Sequence, residues 1–236
     1  MNGKLNLAVM QPYFLPYIGY FQLMAAADRF VIYDDVNFIN RGWVNRNRLL
    51  LNGSAHTFTV PLRGASQNKL IFEIELADDS RWRQKLLRTI HQSYSKATCY
   101  NTIIDLLERL IYYPTIHLDR FLLNSIQEIA KYLNIDVNIV PTSRIYNNEN
   151  LKGQDRILDI CRLENASDYI NPIGGIELYD RSAFESRGLK LHFLQSTLTP
   201  YAQGTQEYVP WLSIVDVLMF NKSSDLQSML IKTTLV

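Results

Sequence analysis

Two adjacent carboxylates and three nearby arginines are the residues of this 236-residue chain best suited to chemistry. Asp34 and Asp35 follow the apolar run "RFVIY", where a carboxylate can take a proton from a substrate amine. Arg41 and Arg46 lie with Arg48 in the stretch "INRGWVNRNRL", and guanidinium groups bind phosphates or carboxylates through paired hydrogen bonds. This pattern predicts a site for an anionic substrate, with a carboxylate as the base.

Aromatic and amide side chains accompany these charges. Trp43 can stack on a base or a sugar face, and Asn45 and Asn47 can bind hydroxyl groups. The segment "MQPYFLPYIGYFQLM" adds four candidates: Gln11, Tyr13, Tyr17 and Tyr20. The alternative is that the rings belong to an ordinary core, the acids to a solvated strand end and the arginines to a solvated loop.

The elements around these residues decide whether they can meet. "LNLAVM" (5–10) predicts a strand, the segment from Pro16 to Asp28 a helix with Pro16 in its first turn, and "RFVIYDDV" (29–36) a second strand. A strand, a helix and a strand in this order predict two parallel strands, and ligands bind beyond the carboxyl ends of such strands. We therefore expect the aromatic turn and the acids to share a crevice. If the second strand continues through Asp35, its two carboxylates point to opposite faces, so one is the base and the other is structural.

The rest of the chain alternates between strand and helix patterns. Segment 37–54 is polar and irregular, and strands are predicted at 56–62, 69–76, 136–141, 167–175 and 189–195. Asp79 and Ser80 predict the start of the first of three successive helices, and the last two helices, at 209–221 and 225–235, close the chain. The expected fold is α/β, with a Rossmann-like parallel sheet core (1–79 and 134–236) and a helical insertion (80–133) packed on it as a single structural unit.

Further substrate-binding candidates lie in the C-terminal half of the chain. The segment "NPIGG" (171–175) can present free backbone N–H groups to an anion or to an oxyanion, although a plain turn has the same composition. The candidates in this half are Arg156, Asn171, Gly174, Gly175 and Gln203.

Composition excludes several classes of function. The net charge of +1 gives no general attraction to nucleic acid, and no apolar run is long enough to span a membrane. Cys99 and Cys161 are distant from each other, which favours free thiols in a reducing cytoplasm. The four histidines lack metal-ligand spacing, so we expect no metal site. No motif identifies a cofactor, and the oligomeric state stays open.

The segments "MQPYFLPYIGYFQL" and "FVIYDDVNFINRGWVNRNRLL", with "DRILDIC", "YINPIGG" and "YVPWLSIVDVLMFN" farther on, resemble the WbqC-like family of bacterial proteins over nearly the whole chain. The resemblance implies a role in the synthesis of surface polysaccharide, including the O-antigen of lipopolysaccharide, where some members are described as glycine transferases. Thr199 stands before Pro200 and Tyr201, where we expect the family to have histidine.

The stretch "QPYFLPYIGY" also resembles the HxGH pattern of nucleotidyltransferases. Tyr17 and Tyr20 replace its two histidines, and a neutral phenol brings no charge to a phosphate. This likeness implies a related architecture without the same reaction.

Together these features predict a transferase that adds an acyl or aminoacyl group, such as glycyl, to a nucleotide-activated amino sugar. In this hypothesis Asp34, Asp35 and Tyr20 are catalytic, and the backbone near Gly174 stabilises the oxyanion. Two alternatives stay open. One is a nucleotidyltransferase-like enzyme with altered site chemistry, and the other is a non-catalytic sugar-nucleotide-binding partner of a glycosyltransferase.

Overall fold

A six-stranded sheet forms the centre of the computed structural model, which describes residues 4–77, 79, 81–205 and 207–236. The strands of the sheet are β1 (Asn6–Met10), β2 (Arg29–Ile32), β7 (Asn138–Val140), β8 (Asp168–Pro172), β9 (Lys190–Ser196) and β10 (Thr233–Leu235). Their spatial order is β10-β9-β8-β1-β2-β7, and only β10 runs antiparallel to its neighbour. The chain thus extends the sheet from β1 toward β7 and then returns to the other side of β1. This order confirms the predicted α/β fold with a Rossmann-like parallel sheet and places its switch point between β1 and β8.

Helices cover both faces of the sheet, and they are α1 (Ile18–Ala25), α2 (Arg81–Tyr94), α3 (Tyr100–Ile111), α4 (Leu118–Tyr132), α5 (Gly153–Leu163), α6 (Arg181–Glu185), α7 (Ile214–Phe220) and α8 (Ser223–Leu230). Successive residues of β1 enter different cores, because side chains of a strand alternate between its faces. Ala8 packs in the core with α1 to α4, α7 and α8, whereas Leu7 and Val9 pack in the core with α5 and α6. The predicted division into a core and a helical insertion stays a prediction.

Two short hairpin-like pairs lie outside the central sheet. β3 (Arg46–Leu51) pairs with β4 (Ser54–Thr59) through a turn in which Asn52 and Gly53 both have positive φ, at 51° and 76°. This backbone is the one that Asn-Gly favours in tight hairpins. β5 (Leu62–Arg63) pairs with β6 (Glu75–Leu76).

Several predicted boundaries are wrong for identifiable reasons. Segment 37–54, which was expected to be irregular, contains the regular strand β3. Segment 69–76 was expected to be one strand, but its backbone forms a 3₁₀ turn over Ile71–Glu73, because Phe72 N donates to the Asp34 carbonyl (3.1 Å) rather than to a neighbouring strand. Pro16 precedes α1, whose N-cap is Tyr17. The last predicted helix ends at Leu230, and the chain then adds β10 to the sheet edge.

Ser80, predicted to cap α2, lies outside the described residues; Asp79 Oδ1 accepts a hydrogen bond from Arg81 N (3.0 Å) at this helix start. Within the described ranges, no helix has the length and apolar character needed to cross a membrane.

Candidate functional site

The aromatic turn between β1 and α1 is fixed by residues distant in sequence. Leu15 has a left-handed φ of 48°, and its carbonyl accepts hydrogen bonds from Asn47 Nδ2 and Ser213 Oγ, both at 2.7 Å. Phe14 N donates to the Val44 carbonyl at 2.9 Å. The turn is therefore held against the β3 segment on one side and the start of α7 on the other.

A cleft of about 230 Å³ opens where these three segments meet. Its lining residues are Tyr13, Pro16, Tyr17, Trp43, Asn47, Arg48 and Trp211. The rings of Tyr17 and Trp211 meet edge to face with centroids 5.7 Å apart. Apolar aromatic walls with few polar groups are typical of small-molecule sites. We call this site the aromatic cleft.

Two arginines support Trp43, which is 44% exposed. The guanidinium carbons of Arg46 and Arg48 lie 5.3 and 5.6 Å from the centre of its indole ring, within cation–π range. Arg46 closes its own loop, because its Nε donates to the Gly42 carbonyl (2.9 Å) and its Nη2 to the Arg41 carbonyl. The predicted phosphate ligand Arg46 is thus partly engaged by the loop, and Arg41, in the left-handed region at φ 60°, shapes that loop.

Arg48 joins the two sides of the aromatic cleft. Its Nη2 donates to the Trp211 carbonyl at 2.8 Å, and its backbone carbonyl accepts from Ser213 N at 2.8 Å. Its Nε is buried with no acceptor among the described residues. The guanidinium therefore has donor capacity that the described part of the fold does not use.

Trp211 is held in a conformation that bulky residues avoid. Its φ is 61°, and a side chain with a Cβ costs of order 1–3 kcal/mol there. The ring is nevertheless 47% exposed and forms a wall of the aromatic cleft. Strain of this kind that persists beside a cleft is an indicator of function.

The phenols of the aromatic cleft are proton donors at neutral pH. Burial, followed by the nearby Tyr17, raises the pKa of Tyr13 to about 12. Burial also raises the pKa of Tyr17, although a hydrogen bond with Ser196 opposes this shift. With Arg48 as a cation and no acid among its lining residues, the aromatic cleft suits neutral or anionic groups.

Gly19 lets Tyr17 lie over the first turn of α1. A Cβ at Gly19 would be 2.2 Å from Tyr17 Cε2 and 2.5 Å from Ser196 Oγ, so any larger residue displaces one of them. The glycine of the predicted HxGH-like stretch therefore positions a wall of the aromatic cleft.

The predicted catalytic acids lie elsewhere. β2 ends at Ile32, so Asp34 and Asp35 follow the strand and both reach Ser143. Ser143 Oγ donates to Asp35 Oδ1 and lies 3.4 Å from Asp34 Oδ1, and the two carboxylates are 1% and 6% exposed. Neither acid is among the residues that line the aromatic cleft, so the expected crevice shared with Tyr13 stays a prediction.

Both acids are paired with cations. Asp35 forms an ion pair with Arg156, which is only 3% exposed, and Asp34 Oδ2 lies 3.3 Å from Arg144 Nη2. Burial raises the pKa of Asp34, while a hydrogen bond from Thr142 and the charge of Arg144 oppose it. These contacts tie the end of β2 to the turn after β7 and to α5. The catalytic role of the acids and the phosphate role of Arg156 stay predictions.

Tyr20 and Gln11 have different environments at the end of β1. Tyr20 is 2% exposed, and its hydroxyl donates to the Gln11 carbonyl at 3.2 Å, so it is a core residue that joins α1 to β1. The side chain of Gln11 is half-buried and has no hydrogen-bond partner in the described chain.

Three other predicted ligands have structural partners. Asn45 Nδ2 donates to the Val60 carbonyl at 2.7 Å. Asn171 accepts from Tyr169 Oη at 3.3 Å, and a Cβ at Gly175 would be 2.1 Å from Asn171 Nδ2. Gly175 is thus needed for close packing against Asn171. Gly174 borders open space, with nothing within 4 Å of an added Cβ.

Gln203 belongs to a buried network around Asp216, which is fully buried. Gln203 Nε2 and Tyr201 Oη donate to Asp216 Oδ1 at 2.8 and 2.6 Å, and Tyr94 Oη donates to Oδ2 at 3.0 Å. Burial raises the pKa of Asp216, and these three hydrogen bonds oppose it. Gln203 thus holds the segment that precedes Trp211 to the buried Asp216 and does not line the aromatic cleft.

Sequence reasoning grouped Arg48 with Arg41 and Arg46 but did not select it as a site residue, and it missed Trp211. Arg48 was detectable, because it lies two residues from Arg46 and shares the same stretch. Trp211 gave no local signal, since its place depends on contacts with Tyr17 and Arg48, far away in the chain. Across the described residues, no group of three or more His, Cys, Asp or Glu could hold a metal ion.

Comparison with known proteins places this site in a family. Residues 11–228 match the WbqC-like protein family. The chain is also 27% identical over 224 residues to the uncharacterized protein Rv1507c of Mycobacterium tuberculosis, and the similarity covers 93% of this chain and 95% of that one. No solved structure matches the chain significantly. The family match includes every residue that lines the aromatic cleft. This chain belongs to the WbqC-like protein family.

Proposed function

We propose that this protein is a transferase that binds a nucleotide-activated amino sugar in the aromatic cleft and adds an acyl or aminoacyl group to it, in the synthesis of a bacterial surface polysaccharide. The observation that carries the proposal is the convergence of four aromatic rings and Arg48 beyond the carboxyl end of β1. Rossmann-like sheets bind nucleotides in this region, and the rings and the cation match the base and the phosphate of such a ligand.

The polysaccharide setting comes from the family resemblance. The family match itself names no substrate or pathway, and the mycobacterial relative is uncharacterized. The proposal of a sugar nucleotide therefore depends on the chemistry of the aromatic cleft.

In the transfer, the sugar amine attacks the carbonyl carbon of an activated acyl ester or thioester, the bond from that carbon to oxygen or sulfur breaks, and an alcohol or thiol leaves. The step needs a base that takes the proton of the amine and a donor for the developing oxyanion. The phenols of Tyr13 and Tyr17 stay protonated at neutral pH, so they serve as hydrogen-bond donors rather than bases. Asp34 stays the proposed base, although it lies outside the lining of the aromatic cleft, so the amine that it serves must lie outside that cleft as well. Its partner Arg144 is 43% exposed in its side chain, and a shift of this arginine would uncover the carboxylate.

A second candidate function is non-catalytic binding of the same ligand for a partner glycosyltransferase. The observation that favours it is the absence of any acid or histidine among the residues lining the aromatic cleft. A nucleotidyltransferase reaction has no such support, since one of the two tyrosines at the histidine positions, Tyr20, is buried.

Calorimetric titration with UDP-glucosamine and its dTDP and GDP counterparts tests the binding. We expect one of them to bind, and Trp43→Ala to weaken it at least tenfold. Tyr112→Ala removes a similarly exposed aromatic ring (41%) directly after α3, and it serves as the control, which should leave binding unchanged. Mass spectrometry of mixtures with acyl donors then separates the two functions, because only a transferase gives an acylated sugar. If none of the three sugar nucleotides binds, the proposal is wrong.

A further inference from the structure

The polar groups of the aromatic cleft identify which part of the ligand it holds. Its free N–H groups can only donate, whereas the hydroxyls of Tyr13 and Tyr17 can also accept. Arg48 Nη1 has no acceptor in the described chain, and an arginine can only donate. The indole N–H groups of Trp43 and Trp211 likewise donate to nothing among the described residues.

The amide of Asn47, the one amide in the cleft lining, is already used. Its Nδ2 donates to the Leu15 carbonyl and its Oδ1 accepts from Arg48 N at 2.8 Å. No carboxylate is available as an acceptor among the lining residues. The side-chain acceptors that remain are the two phenol oxygens. A ring rich in carbonyl groups fits such walls, whereas a sugar with several hydroxyl groups needs more acceptors than these.

Size and charge agree with this assignment. At about 230 Å³ the aromatic cleft is smaller than the usual range for drug-sized ligands, so it holds one ring system and leaves the rest of the molecule outside. A protonated amino sugar would meet the charge of Arg48 with no compensating acid. A flat base can stack against an indole and pay no such electrostatic cost.

We infer that the aromatic cleft is the nucleobase subsite of the protein, selective for bases with carbonyl edges such as uracil, thymine and guanine, and that the amino sugar lies outside it. This inference rests on the proposed function. In it, Arg48 donates to a base carbonyl and Trp43 and Trp211 supply stacking surfaces. The charges of Arg46 and Arg48, both beside Trp43, favour phosphates that leave the cleft on that side.

The inference is tested with fragments of the ligand. Calorimetric titration compares uridine, guanosine and adenosine 5′-monophosphates with glucosamine 1-phosphate. We expect the uridine or guanosine nucleotide to bind at least tenfold more tightly than the adenosine nucleotide and glucosamine 1-phosphate. Trp43→Ala should weaken that nucleotide at least tenfold, and Trp211→Gly, which lacks the ring but accepts the backbone conformation, should do the same.

The possible failures are distinguishable. If UDP-glucosamine or a counterpart binds but glucosamine 1-phosphate accounts for that affinity, the base subsite is wrong and the proposed function stands. The base subsite is also wrong, and the proposed function stands, if the adenosine nucleotide binds as tightly as the uridine and guanosine nucleotides, or if both tryptophan variants keep wild-type nucleotide affinity. If no nucleotide and no sugar nucleotide binds, the proposed function fails together with the inference.

Discussion

Replacing Trp211 by glycine and by alanine separates the strain at this residue from the contacts of its ring. Both substitutions remove the same half-exposed indole, so the lost contacts with Tyr17 cancel when the two variants are compared. Only alanine keeps a Cβ at a φ of 61°. The difference between the variants therefore measures the cost of the left-handed conformation.

The expected magnitude follows from two opposing effects. The left-handed conformation costs a residue with a Cβ roughly 1–2 kcal/mol, which glycine avoids. In the glycine variant the unfolded chain is also more flexible than in the alanine variant, which lowers the free energy of unfolding by about 0.4–1 kcal/mol. We expect Trp211→Gly to be more stable than Trp211→Ala by about 1 kcal/mol, or about 2–4 °C in Tm for a chain of this size.

Urea unfolding and thermal melting of both variants give this difference directly. Tyr112 provides the control, because it is a similarly exposed aromatic residue at an ordinary φ of −94°. There the alanine variant should be the more stable of the pair, since only the unfolded-state effect operates. If alanine is also the better replacement at Trp211, the residue is unstrained and the reasoning is refuted.

Three further predictions concern Gly19 beside the aromatic cleft and the buried carboxylates of Asp35 and Asp216. Gly19→Ala should weaken nucleotide binding and cost about 1–3 kcal/mol of stability, because its Cβ displaces Tyr17; calorimetry and urea unfolding check this. Asp35→Asn should cost about 3–5 kcal/mol in urea unfolding, because it leaves the buried Arg156 without its counter-charge. Asp216→Asn should flatten the pH dependence of stability. Burial raises the folded-state pKa of Asp216 above the ordinary value of 3.8. The contribution of this shift to stability is therefore present below pH 3.8 and is lost as the pH rises through the folded-state pKa. Melting curves recorded across pH measure this loss.

Each of these predictions has a control or a result that would contradict it. Gly174→Ala adds a Cβ that meets nothing within 4 Å, so it should leave stability unchanged; equal losses of stability at Gly19 and Gly174 would contradict the steric role of Gly19. For Asp35, a loss below about 1 kcal/mol would mean that the ion pair contributes little to the fold. For Asp216, a variant that keeps the wild-type pH profile shows that another group controls it.

The sequence predicted the parallel sheet well because its signals are local. The βαβ pattern of residues 5–36 depends on apolar runs and one helix between them. The turn between β3 and β4 is local too, because Asn52-Gly53 favours it through backbone conformation alone. Segment 69–76 failed because Ile71 and Phe72 bond to the chain after β2, a contact that no local pattern encodes.

The candidate site was predictable only in part, for the same reason. Tyr17 and Trp43 line one cleft, because the turn after β1 and the stretch after β2 follow neighbouring parallel strands. Asp34 and Asp35 have the composition of a catalytic pair, yet their surroundings come from Ser143 and Arg156, more than a hundred residues away. The partners of a buried carboxylate, which decide its role, are set by tertiary structure.

The three tryptophans allow the most direct test of the nucleotide-binding role of the aromatic cleft. Trp43 and Trp211 line it, whereas Trp82 packs against Phe121 with ring centres 6.0 Å apart. A proton–nitrogen correlation spectrum, assigned with Trp→Phe variants, shows one indole signal for each. On addition of UDP-glucosamine or its dTDP or GDP counterpart, we predict that the signals of Trp43 and Trp211 shift while that of Trp82 stays in place. A saturating ligand that leaves both cleft signals unmoved, or that shifts only Trp82, would contradict the account.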